Sequence, residues 1–262
     1  MKNMLSVIVL TLNEAKHIRA CLESVQSFAD ELLVLDSASV DETVALAQAV
    51  GARIVTRLFD NYAAQRNAAL EYARGDWIFF IDADERANER LGKEIRARIS
   101  HSENAMTEQV LFWVPRQNYI FGKWIRHTGW APDYQPRVLK KGRARFDTAR
   151  PVHELVIADG KQDYLETPLV HYNYETLAQF RRKQIRYTRF EAQMMAAEGI
   201  RPRWRSYPSA PAREFYRRFI ALSGYRDGLH GLGLSLLMAY YAFWRQVWAA
   251  ELARQKYSSN EN

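Results

Sequence analysis

Five apolar residues, Trp77-Ile-Phe-Phe-Ile81, run directly into Asp82-Ala83-Asp84, and they close a strand, loop and helix alternation that fills the first hundred residues. Leu5 to Leu10 reads as a buried strand, Thr11 to Glu14 as its exit loop, and about Ala15 to Phe28 as a helix. Glu31 to Leu35 is the second strand. Its exit, Asp36 to Asp41, offers N-cap residues for a helix from Glu42 to Val50, which Gly51 ends. Ala52 to Thr56 is a third strand, Asn61 to Ala73 a helix stopped by Gly75, and Trp77 to Ile81 the strand that carries the carboxylates. This alternation predicts an α/β fold with a parallel, doubly wound sheet flanked by helices. Such sheets bind ligands beyond the carboxyl ends of their strands, so the segments around Thr11, Asp36 and Asp82 are expected to share one crevice.

The chemistry of that crevice follows from the residue types. Two carboxylates one residue apart at a strand end can hold a divalent cation, Mn2+ or Mg2+, against a diphosphate, which is the chemistry of nucleotide-sugar transfer. Asp84 is the expected metal ligand, with Asp82 shared between metal and ribose. Thr11, Asn13, Glu14 and Asp36 lie where backbone groups and carboxylates meet a base and ribose. Turn and helix capping is the competing account of Asp36 and Asp41. Arg66 is either a solvated helix position or a fork of donors for a diphosphate. Glu85 reads as the negative charge at a helix N-terminus.

A net charge of +7 on 262 residues calls for an anionic partner: nucleic acid, a phosphorylated substrate or an anionic bilayer. The acidic crevice argues against nucleic acid, since its carboxylates repel phosphates unless a cation is present. A non-catalytic nucleotide-sugar or nucleic-acid binding module is the alternative from a different class. The single cysteine, Cys21, leaves no intrachain disulfide and sits in a helical pattern that suits packing. The apolar run from Met4 to Leu12 is too short for a secretory signal and reads as a first strand.

Beyond a helix from about Asn88 to Ser100 and a strand from Gln109 to Pro115 comes an aromatic, basic stretch with Tyr119, Phe121, Trp124, His127 and Trp130. Sugars stack on such rings, and packing is the plainer reading of each. Leu177 to Gly199 is helical and basic. Pro202, Pro208 and Pro211 mark a linker before a last helical region. Its uncharged run, Gly228 to Trp244, falls near or just below the length needed to span a bilayer. It suits a membrane interface, with Tyr240, Tyr241, Trp244 and Trp248 at the headgroups, or else a buried helical hairpin.

The succession Ser6-Val-Ile-Val-Leu-Thr-Leu-Asn-Glu14, Val34-Leu-Asp-Ser-Ala-Ser-Val-Asp-Glu-Thr43, Gln65-Arg-Asn67 and Gly75-Asp-Trp-Ile-Phe-Phe-Ile-Asp-Ala-Asp84 resembles the family 2 inverting glycosyltransferases of GT-A fold. Pro132-Asp133, Arg137, Gly142 and His153 follow the order of that family's second block, although proline replaces its usual acidic residue before the aspartate. The resemblance implies Asp133 as catalytic base, with Glu154 as a rival, and His153 as a further metal or diphosphate ligand. Trp130, Tyr134, Gln135 and Arg137 are then expected to face the acceptor. It also implies a catalytic domain over 1–175, with a nucleotide half 1–100 and an acceptor half 101–175, and a helical region 176–262 that contacts a membrane or partner.

Trp130-Ala-Pro-Asp-Tyr-Gln135, Pro151-Val-His-Glu154 and Leu169-Val-His-Tyr-Asn-Tyr174 resemble a bacterial subgroup that adds β-linked glucose to heptose of the lipopolysaccharide inner core. UDP-glucose is the implied donor. The implied acceptor is a lipid-anchored anionic saccharide, met by a protein peripheral to the cytoplasmic face of the bacterial inner membrane. A polyprenyl-linked or capsule saccharide is the alternative acceptor.

Overall fold

In a computed structural model, which describes residues 3–101, 109–148 and 155–258, the apolar runs of the first hundred residues become the strands of one sheet. The order is β1 (Leu5–Thr11), α1 (Ile18–Gln26), β2 (Glu31–Asp36), α2 (Thr43–Ala49), β3 (Arg53–Thr56), α3 (Tyr62–Tyr72) and β4 (Trp77–Phe80). The strands pair in parallel as β3-β2-β1-β4, and the register sets Thr11 opposite Asp36, so the exits of β1 and β2 lie side by side.

Both faces of this sheet are covered, which is why its strands are apolar throughout rather than alternating. Val7, Val9, Trp77 and Phe79 pack with Ile18, Cys21, Leu22 and Val25 of α1. Ile8, Leu33, Leu35, Ile78 and Phe80 pack on the other side with Ala63, Ala69 and Leu70 of α3. Gly75 does not stop a helix as expected, because α3 has already ended at Tyr72. A Cβ at Gly75 would come within 2.7 Å of Met4 O and Ser6 N, so glycine there permits the turn to pass against β1.

The chain continues through β5 (Glu85–Arg86), α4 (Glu89–His101), β6 (Gln109–Ile120), β7 (Lys123–Trp124), β8 (Tyr134–Lys140), β9 (Ala144–Phe146), β10 (Val156–Ala158), β11 (Lys161–Tyr164) and β12 (Leu169–Tyr174). β8 runs antiparallel to both β4 and β6, and the sheet extends as β8-β6-β12-β5. The result is the mixed, mostly parallel sheet flanked by helices that the GT-A resemblance implies.

Contacts divide the chain into two compact units, residues 1–117 with 133–171 and residues 118–132 with 172–262. The second contains α5 (Leu177–Ala197), α6 (Ser206–Phe215), a π turn at Tyr216–Ala221, a 3-10 turn at Gly224–Asp227 and α7 (Leu229–Ser258). Thr176 and Gln179 form a capping box at the head of α5. Ile120, Ile125, Tyr174, Phe180, Leu234 and Tyr241 form the core of this unit, which places Tyr241 inside rather than at a headgroup boundary. A Cβ on Gly231 would fall 1.8 Å from Gly224 O, so the first turn of α7 packs backbone to backbone on the 3-10 turn.

The proline-marked linker is a correction. Pro208 and Pro211 lie within α6. Pro208 falls in the first turn, where its missing N–H costs nothing, and only Pro211 removes an internal bond. Among the described residues, no helix is long and apolar enough to cross a membrane.

Candidate active site

The loops after β1 and β2 lock together before they meet anything else. Asp36 is 1% exposed and turned into its own loop, accepting from Ser39 N at 2.8 Å and from Thr11 Oγ1 at 3.1 Å. Asn13, in the left-handed region at φ 57°, accepts from Val40 N at 2.9 Å, while its own N–H donates to Ser39 Oγ. Glu14 N donates to Thr43 Oγ1, and Asp41 accepts from Thr43 N at the head of α2. The structure thus gathers Thr11, Asn13, Glu14 and Asp36 at adjoining strand exits.

Beyond β4, Asp82 meets two arginines. Arg137 is 3% exposed and donates to both of its carboxylate oxygens, and Arg66 Nη2 lies 3.4 Å from Oδ1. Arg66 is therefore no solvated helix residue: it is buried, with its guanidinium 5.1 Å and 5.4 Å from the rings of Phe80 and Phe146. Burial works against the charged form of Asp82, yet Arg137 and Arg66 outweigh it and hold the carboxyl well below the usual carboxylate range.

Glu85 is the residue whose position sequence reasoning missed. It starts β5, not a helix, and is wholly buried. One of its oxygens accepts from Asp82 N at 2.9 Å; the other meets Arg137 Nη2 at 2.6 Å and Arg116 Nη1 at 3.5 Å. Arg116 in turn reaches Asp133, with Nε and Nη2 at 2.9 Å and 2.8 Å from Oδ2. Gln135 Nε2 donates to the other oxygen of Asp133 at 2.7 Å. A continuous path of charge-assisted bonds therefore joins Asp133 to Asp82 through Arg116, Glu85 and Arg137.

Asp84 faces a partner that spacing alone did not single out. His171 Nε2 lies 3.6 Å from its Oδ2, and β12 delivers the histidine by pairing His171 opposite Glu85. The visible signal was the segment Leu169 to Tyr174, which carries this histidine. His153 and Glu154 lie outside the described residues.

Of the residues expected to face an acceptor, Tyr134 is partly exposed and packs edge-on to Tyr164 at 5.0 Å. Gln135 and Arg137 are engaged by the carboxylates just described. Trp130 belongs to the second unit, where its ring meets Tyr174 edge-on at 5.8 Å.

A cation on the diphosphate needs hard oxygen or imidazole donors with room left for phosphate oxygens. Among the described residues no group of three or more His, Cys, Asp or Glu side chains can enclose a metal alone. Asp84 and His171 nevertheless offer an oxygen and a nitrogen facing each other, a donor set that suits a cation shared with substrate phosphates.

The family profile described as Glycosyl transferase family 2 matches residues 6–188. The lipopolysaccharide core biosynthesis glycosyltransferase LpsC of Rhizobium meliloti (strain 1021) is 29% identical over 245 residues, covering 91% of this chain and 89% of that relative. An uncharacterized glycosyltransferase of Rickettsia bellii (strain RML369-C) is 26% identical and covers 96% of this chain and 87% of its own. Among solved structures, glucosyl-3-phosphoglycerate synthase from Mycobacterium tuberculosis, in complex with Mn2+, UDP and glucosyl-3-phosphoglycerate, is 25% identical, covering 45% of this chain and 44% of that one at a TM-score of 0.38.

Proposed function

The chain belongs to glycosyl transferase family 2, and from that premise we propose that it transfers glucose from UDP-glucose to a heptose of a lipopolysaccharide inner core, with inversion at the anomeric carbon. The acceptor class is supported by likeness to LpsC across most of both chains. The observation that carries the mechanism is the bonded path from Asp133 through Arg116 and Glu85 to Arg137 and Asp82.

In this reading Asp133 accepts the proton of the acceptor hydroxyl as that oxygen attacks the anomeric carbon from the face opposite the diphosphate. Arg116 and Gln135 hold the carboxylate in line, so little reorganisation is needed as the proton moves. The exits of β1 and β2, with Thr11, Asn13, Glu14 and Asp36, receive uracil and ribose. Arg66 and Arg137 keep Asp82 ionised beside the ribose. Asp84 and His171 would hold a divalent cation, which supplies charge neutralisation on the departing diphosphate. The protein works at the cytoplasmic face of the bacterial inner membrane, where a lipid-anchored, anionic acceptor presents its sugars.

The test is a panel of nucleotide sugars offered with Mn2+ or Mg2+ and purified truncated lipopolysaccharide, following nucleoside diphosphate release. Release from UDP-glucose that depends on a heptose-terminated acceptor is expected. Release only with polyprenyl-linked or capsule saccharides would move the acceptor assignment, and oligonucleotide binding without any release would overturn the enzyme reading.

A further inference from the structure

Positive charge is concentrated in the unit that lacks the donor carboxylates. Residues 118–132 and 172–262 hold 17 Lys and Arg against 7 Asp and Glu, a net +10, while the rest of the chain holds 20 against 23, a net −3. The same unit carries an uncovered apolar stripe. α7 packs on α5 and α6, which buries Leu234, Tyr241, Ala242 and Ala249. Its opposite line stays open: Leu229 is 84% exposed, Leu236 and Tyr240 54% each and Phe243 37%. At 100° per residue these four positions fall within about 60° of one another, over a length of about 21 Å. Gly233 lies on the same line, and a Cβ there would meet nothing within 4 Å.

A cationic cavity adjoins the stripe. Arg201, Pro202, Tyr207, Ala250, Ala253 and Arg254 enclose about 390 Å³. Tyr207 links the two features, since its ring packs edge-on to Phe243 at 6.2 Å between centroids. Arg254 sits on the same line of α7, farther toward its end.

We propose that the α7 stripe lies along the headgroup boundary of an anionic phospholipid bilayer, with a headgroup phosphate received between Arg201 and Arg254. An amphiphile is the one class of partner that satisfies both features. A soluble anion leaves Leu229, Leu236 and Phe243 uncovered, and so does nucleic acid. A second copy of the chain would bring one unit of net charge +10 against another. α7 lies in the surface plane, because no described helix is apolar enough to cross. The inference deepens the reading of the acceptor as lipid-anchored, and rests on that reading only for its biological purpose.

The test is co-sedimentation of the full chain with phosphatidylcholine vesicles, with and without phosphatidylglycerol. Binding is expected on the anionic vesicles, weak on the neutral ones, and reduced by about 0.5 M salt, where the Debye length is about 4 Å. The pair Leu236→Glu and Tyr240→Glu should weaken partitioning about tenfold or more while leaving UDP binding intact. The milder pair Leu229→Gln and Leu236→Gln should act in the same direction, which guards against a folding defect. Arg201→Gln with Arg254→Gln should narrow the preference for anionic over neutral vesicles. Unchanged partitioning in the stripe variants, equal binding to neutral vesicles, or conversion of a dimer to monomers by the stripe variants would overturn the proposal. Vesicle binding that persists while no lipid-linked saccharide is glycosylated would remove the acceptor reading and leave the docking face standing.

Discussion

Arg116 grips Asp133 twice, through its side chain at Oδ2 and through its backbone N–H, which donates to Asp133 O at 2.8 Å. The carboxylate is therefore fixed in rotation as well as in place, and its remaining oxygen is oriented by Gln135. Asp133→Asn preserves that shape and removes the proton acceptor of the proposed mechanism. Turnover should fall by about 10² to 10⁴ while UDP-glucose binding, measured by calorimetry, stays close to wild type. A variant that keeps most of its turnover would move the base to Glu154.

Arg116 itself touches no substrate in this reading and acts by positioning. Arg116→Met should lower kcat about tenfold to a hundredfold with little change in KM for the donor, because the aim of Asp133 is lost while Arg137 still holds Glu85 and Asp82. Arg116→Lys should recover part of the loss, limited by the absence of a second donor in the fork. In the Asp133→Asn background Arg116→Met should cost almost nothing more, since residues acting as one unit are not additive. Full additivity in that double variant would show that Arg116 serves the fold alone.

Arg137 holds two carboxylates at once, and one of them, Glu85, has no access to solvent. Arg137→Met leaves a buried charge without its main counterion. Such losses cost about 3 to 5 kcal/mol, so the midpoint of urea unfolding should fall well below that of wild type. The double variant Arg137→Met with Glu85→Gln should regain part of the loss. If the single change leaves the midpoint untouched, the Asp82 and Glu85 contacts contribute no net stability.

The strands around the site were legible because their apolar runs and the capping residues between them are local signals, and Asp82 and Asp84 stood out because they are neighbours in sequence. Glu85 was not legible. Followed by a helical pattern, it reads as a helix-start charge, and only the pairing of β5 with β12 turns it inward. Arg116 shows nothing in its own strand, since its meaning lies in an aspartate 17 residues later across an antiparallel pair. His171 belongs to a visible segment, but its relation to Asp84 depends on the same long-range pairing. Pro208 and Pro211 misled because proline tolerance depends on position within a helix turn, which the sequence around α6 does not mark.

The sheet carries its own acid sensitivity at Glu31, away from the strand exits. Burial works to raise this carboxyl, but hydrogen bonds from Ser6 Oγ, Arg74 N and Arg53 outweigh it and hold it below its ordinary value. Those partners tie β1, β3 and the loop before β4 to the start of β2, with Arg53 Nη2 at 2.7 Å and Arg74 N at 2.8 Å. Because the folded state binds the proton more weakly than the unfolded chain, the contribution to stability is full above the unfolded value of about 4.3 and is lost as pH falls through the folded one. Glu31→Gln should therefore be less stable than wild type at neutral pH, and the two unfolding curves should converge as pH drops from about 5 toward 3. Thermal melts across that range supply the check. Curves that stay parallel would place the acid sensitivity of the sheet elsewhere.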